Sequence, residues 1–90
     1  MSKFIDLLIG SKQRLKIINY LSDFKEASIS ELKLGCNSNY KEIKKNIDFL
    51  KEKGIINVRK KRNAIISTLN VESEIVICLM KLIEVIDANL

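Results

Sequence analysis

Apolar residues recur with two different periods along this 90-residue chain, and the change of period falls at Gly54. Before Gly54 the spacing is helical. Residues 3–9 are apolar at positions 4, 5, 7, 8 and 9 and stop at Gly10, which predicts a short helix closed by glycine. Ser11 is placed to cap a second helix whose apolar residues are Leu15, Ile17, Ile18 and Leu21 and which fades around residues 22–25. Ser28-Ile29-Ser30-Glu31 has the form of a capping box, in which serine and the glutamate three residues on satisfy each other's backbone donors. It opens a very short helix over residues 29–34, closed by Gly35. A polar turn over residues 36–39 leads into a longer helix that runs to Lys53, capped by Asn39, with Tyr40, Ile43, Ile47 and Leu50 as its core face. Gly54 stands where a left-handed C-cap residue belongs.

Beyond Gly54 the texture turns to β-branched residues. Residues 55–59 and 64–69 read as the arms of a β-hairpin around Lys60-Lys61-Arg62-Asn63, with Asn63 suited to a positive φ. Asn70 is placed to cap a last helix, residues 71–90, with Glu72 and Glu74 near its positive end. The expected class is mainly α with a small β-hairpin, in one domain over residues 1–90. Residues 11–69 form its core and residues 70–90 an added C-terminal helix.

Composition narrows the function. A hydrophobic share of 47% with 30% charged residues describes a globular chain. It has no histidine, so the usual general base and the commonest zinc ligand are both missing. Ser/His/Asp and Cys/His catalysis are excluded, and no glycine-rich phosphate loop is present. No catalytic residue, metal site or cofactor is therefore expected, and no small-molecule effector is readable from these residues. The two cysteines form no motif. Cys78 is expected to be a small buried hydrophobe, and Cys36, in the polar turn, the one that could reach solvent. The longest apolar run, residues 75–80, is followed by Lys81, Glu84 and Asp87 and is too short to span a bilayer. The reading is a soluble cytoplasmic protein with no membrane partner.

Charge then changes the picture. Residues 41–62 hold nine basic residues against Glu42, Asp48 and Glu52, a net of +6, while the whole chain carries only +5. A charge excess confined to one helix and the hairpin after it is the footprint of a surface for a polyanion. A short helix, a tight turn, a longer helix and a basic hairpin make up a winged helix-turn-helix, whose second helix fits the major groove of duplex DNA. Ser38, Asn39, Tyr40, Lys41, Lys44 and Lys45 form the DNA-binding half of that helix, although the ring of Tyr40 is expected to face the core. Arg59, Lys60, Lys61 and Arg62 form the wing, reaching flanking backbone or the minor groove. Lys51 and Lys53 lie too far toward the helix C-terminus to read bases.

The run Asn39-Tyr40-Lys41-Glu42-Ile43 through Leu50-Lys51-Glu52-Lys53-Gly54-Ile55-Ile56 resembles the corresponding signature of small archaeal winged-helix DNA-binding proteins. Together with Arg14-Leu15-Lys16-Ile17-Ile18 it is also similar to arsenical-repressor-like and multiple-antibiotic-resistance-repressor-like families. The resemblance covers about residues 12–69 and implies DNA contacts by Tyr40, Lys41, Lys44, Lys45 and residues 60–62. Arsenical-type repressors hold metal through clustered cysteines and histidines, whereas Cys36 stands alone here.

The last helix is apolar over most of its circumference. Ile75, Leu79, Leu82 and Ile86 follow coiled-coil spacing, and Val76, Met80 and Ile83 form a second face. One small domain covers one face; a second subunit would cover the other. Ile75, Leu79, Leu82, Ile83 and Ile86 are thus the expected homodimer interface, setting two recognition helices about 34 Å apart on double-stranded DNA. The reading is a nucleoid-associated transcriptional regulator. Two alternatives stay open: a low-specificity architectural chromatin protein, favoured by 13 Lys against 3 Arg, and a winged-helix protein-interaction module.

Overall fold

The computed structural model describes Lys3 and residues 10–90; apart from Lys3, the helix expected over residues 3–9 lies outside the described residues. In chain order the elements are α1 (Lys12–Phe24), β1 (Glu26–Ser28), α2 (Ile29–Gly35), α3 (Tyr40–Glu52), β2 (Ile56–Lys61), β3 (Ala64–Leu69) and α4 (Glu74–Ala88). The strands form one antiparallel sheet in the order β1-β3-β2. The sequence reading missed β1, which is only three residues long and flows directly into the α2 cap.

The caps do the local work. Ser11 Oγ accepts from Arg14 N at 3.3 Å, and Asn39 Oδ1 from Glu42 N at 2.9 Å. Ser28 and Glu31 close both arms of their capping box at 3.1 and 2.9 Å. The end of α2 differs from expectation. Gly35 is the last residue of α2, and the left-handed residue is Asn37, at φ 51°. Ser38 N donates to Lys33 O and Asn37 N to Leu34 O, the paired bonds of a Schellman ending. Gly35 is needed for space: a Cβ there would lie 2.3 Å from Cε2 of the Tyr20 ring on α1. At the end of α3 the expectation holds. Gly54 has φ 74°, and Ile55 N donates to Leu50 O while Gly54 N donates to Lys51 O.

Two further caps shift. In the hairpin the positive φ falls on Arg62, at 57°, and not on Asn63. Ser73, in place of Asn70, caps α4. Asn70 instead ties the preceding turn to the end of α3, its Nδ2 donating to Gly54 O at 3.0 Å and its Oδ1 accepting from Glu72 N.

The core lies between the three helices of the helix-turn-helix and the inner face of the sheet. Ile17, Ile18 and Leu21 of α1 meet Leu32 of α2 and Ile43, Ile47 and Leu50 of α3 there, and Val76 of α4 closes it. Cys78, expected to be buried, is exposed, and Cys36 does not reach solvent but is buried. The turn after α2 folds Cys36 inward, whereas the outer face of α4 carries Cys78. Burial pushes the Cys36 thiol above its ordinary value of 9.0, with Lys16 opposing. A thiol so held stays protonated and shielded. Iodoacetamide at pH 8 should leave Cys36 unmodified until denaturant is added, as peptide mass spectrometry can read directly; rapid labelling of the folded protein would contradict this burial.

Candidate nucleic-acid interface

Helix α3 turns its apolar stripe inward, which fixes what it shows outside. Ile43, Ile47 and Leu50 are buried together with Asn46, the polar residue that the sequence reading did not place in the core. At about 100° per residue, Lys44, Asp48, Lys41 and Lys45 follow one another across an outward arc of about 100°. Lys41 and Lys45 are exposed and make no ion pair among the described residues. Tyr40 is 53% exposed, contrary to the expectation of a core-facing ring. As the first residue of the helix it lies just outside the sector that the core covers. Ser38 is half-buried beside it, and Asn39 spends its side-chain oxygen on the helix cap.

Lys44 is engaged. Its Nζ lies 2.7 Å from Asp48 Oδ1, and that hydrogen bond holds the ammonium above its ordinary pKa range. Helix pairs of this spacing are worth about 0.2–0.5 kcal/mol, and the lysine-first order is the weaker one. Asp48 lies past the first turn, beyond the favourable end of the macrodipole, and aspartate as a helix residue costs up to about 0.7 kcal/mol relative to alanine. The pair therefore returns to α3 no more than Asp48 costs it.

The wing divides similarly. Lys60, Lys61 and Arg62 are exposed at the hairpin end with no ion pair among the described residues. Arg59 pairs with Glu26 of β1. In register, Arg59 lies opposite Ile66 and Glu26 opposite Thr68, so the pair bridges β2 to β1 across the outer face of β3. Arg59 thus belongs to the sheet's outer face more than to the wing tip.

Behind α3 is a constellation that no sequence motif announced. Asn46, 5% exposed, accepts from Arg14 Nε at 3.1 Å and donates to Glu42 O at 2.9 Å. The Arg14 guanidinium lies 3.7 Å from the centroid of the Phe49 ring, with Lys53 Nζ at 5.8 Å from the same ring. A hydrogen bond and a cation–π contact thereby lock α1 to α3. A polar residue interrupting an apolar stripe was the only signal available for Asn46.

The structure divides the apolar surface of α4. Val76 is buried, and Leu79, Met80 and Ile83 pack on the domain's own core. Ile75, Leu82 and Ile86 remain 42%, 51% and 46% exposed, joined by Val85. A groove of about 500 Å³ lies between α1 and α4, lined chiefly by Leu15, Ile18, Leu79, Leu82, Ile83 and Ile86. No described helix is long and apolar enough to cross a membrane. No cluster of three metal-ligating side chains occurs among the described residues.

No protein-family model matches the chain, and no curated protein matches its sequence. Solved structures do match. The transcriptional regulator HlyU from Vibrio vulnificus CMCP6 is 26% identical with a TM-score of 0.76, over 93% of this chain and 86% of that one. The homodimeric winged helix-turn-helix DNA-binding domain of Mb0332 from Mycobacterium bovis, a possible ArsR-family transcriptional regulator, is 19% identical with a TM-score of 0.74, over 93% and 75%. The antimony-specific transcriptional repressor AntR is 12% identical with a TM-score of 0.78, over 96% and 76%. The chain has the winged helix-turn-helix fold.

Proposed function

We propose that this chain is a DNA-binding transcriptional regulator that engages duplex DNA as a two-fold dimer. In this reading α3 enters the major groove and the hairpin lies on flanking backbone or in the minor groove. The observation that carries it is charge left without an ion pair among the described residues: Lys41 and Lys45 on α3, and Lys60, Lys61 and Arg62 on the hairpin, are exposed cations on the two elements that a winged helix-turn-helix turns toward DNA. The likeness to transcriptional regulators supports the reading. The homodimeric state of the Mb0332 domain and the exposed residues Ile75, Leu82 and Ile86 support the dimer, with Leu79 and Ile83 bracing the helix from beneath. Such a protein works in the cytoplasm, on the nucleoid.

Counterion release supplies the test. Each neutralised phosphate adds about 0.9 to the slope of log affinity against log salt. Lys41→Ala combined with Lys45→Ala should weaken binding to duplex DNA about tenfold at moderate salt and flatten that slope by about 2. Unchanged affinity and slope would remove α3 from the interface. The excess of lysine over arginine, 13 to 3, favours as second reading an architectural protein that binds duplex without choosing a sequence.

A further inference from the structure

The middle of the α3 face carries one carboxylate among its lysines. Asp48 is exposed between Lys44 and Lys41 on the outward arc, with its Oδ1 2.7 Å from Lys44 Nζ. A surface built only for phosphate has no use for a carboxylate there, since it repels the backbone and occupies one of the three lysines. The helix gains nothing from it either, because the lysine-first pairing is weak and the macrodipole no longer favours a negative charge so far along. Lys41, Lys44, Lys45 and Asp48 are spaced i, i+3, i+4 and i+7, the spacing by which a helix lying in the major groove reaches successive base edges. Two amino donors are displayed there, cytosine N4 and adenine N6; adenine N6 stands beside the N7 acceptor, which repels a carboxylate as guanine N7 and O6 and thymine O4 do, so cytosine N4 is the donor that a carboxylate reads.

We propose that Asp48 is a specificity-determining residue, accepting a hydrogen bond from a cytosine N4 amino group in the major groove while Lys44 holds its carboxylate in place. The inference rests on the reading of α3 as a recognition helix and deepens it. Lys44 spends one of its three N–H donors on Asp48 and keeps two for a neighbouring guanine or phosphate. The carboxylate also acts by exclusion: a site with thymine in place of cytosine sets an acceptor against it, and DNA of random sequence gains nothing from it.

The experiment is selection from a randomised duplex pool with the full chain, its Asp48→Ala variant and its Asp48→Asn variant. Each selected duplex is then titrated beside its counterpart in which the critical C·G pair is T·A. The native protein should select a motif containing a C·G pair and discriminate against T·A about tenfold or more. Asp48→Ala should lose that discrimination, keep its melting temperature and bind random duplex more tightly. Asp48→Asn should move the preference toward adenine, which an amide reads through N6 and N7. If both variants select the native motif with the native base preferences, or if the preference lost is for a base other than cytosine, the assignment of Asp48 is overturned while the DNA-binding regulator stands. If the native protein selects no motif, the sequence-specific regulator falls and the assignment falls with it.

Discussion

Leu82→Glu combined with Ile86→Glu should give a folded monomer that has lost duplex affinity by a factor of about 10²–10³. Both side chains are half-exposed on α4, at 51% and 46%, one turn apart on the wall of the open groove that faces α1. In a monomer two carboxylates there stand in water and leave Val76, which anchors the helix to the core, untouched. In the proposed dimer the same carboxylates would be buried against the apolar surface of the partner's last helix without a compensating charge, at a cost of several kcal/mol. Loss of the dimer separates the two recognition helices, and each half-site is then bound without the effective concentration supplied by the other, which underlies the predicted factor. Light scattering at micromolar concentration should fall from twice the chain mass to the 10.3 kDa of a single chain, with the thermal melt of the domain retained. A native protein already at 10.3 kDa, or a variant that stays dimeric at full affinity, would remove α4 as the interface.

Asn46→Ala should lower folding stability by about 2–3 kcal/mol, the largest cost expected of any single polar truncation in this domain. The side chain is nearly enclosed and satisfies two groups at once, Arg14 Nε at 3.1 Å and Glu42 O at 2.9 Å. Truncation removes the acceptor from a cationic donor in a partly buried setting, which costs more than the loss of a neutral bond. The fall should appear as a lower urea midpoint with little change in slope. Arg14→Leu introduced together with Asn46→Leu should recover part of the loss, because removing both partners leaves no stranded polar group. Purely additive losses in that cycle would show that the two side chains do not act together.

The sequence made the fold legible where one residue acts at a fixed offset. Ser11, Ser28, Glu31 and Asn39 each satisfy a backbone donor three residues away, so a short motif suffices to place a helix start. Gly54 was equally readable, being the one positive-φ glycine among the described residues. The errors come from elsewhere in space. Gly35 serves the Tyr20 ring rather than a left-handed turn, and that proximity spans two helices. Asn70, a good capping residue by composition, is drawn to Gly54 O, which leaves the cap to Ser73. Arg62 takes the positive φ although Asn63 is chemically better suited. Of the candidate interface, the division into α3 and hairpin was visible as a charge excess. The engagement of Lys44 by Asp48, of Arg59 by Glu26 and of Arg14 by Asn46 was not, because pairing depends on which way each helix and strand faces. The resemblance to arsenical-repressor-like proteins anticipated the fold of the structural neighbours, while its archaeal side has no counterpart in the Vibrio and Mycobacterium proteins described above.

Helix α1 touches both halves of the molecule. Arg14 grips α3 through Asn46 and Phe49, and one residue later Leu15 begins the wall of the groove shared with α4. In the proposed dimer the spacing of the two recognition helices would then be measured through α1, as a beam between two joints. A substitution along that beam, touching neither DNA nor the partner chain, would change which half-site separation the protein prefers. Variation among related chains in the operator spacing they accept should accordingly concentrate in α1, where no base contact exists to explain it.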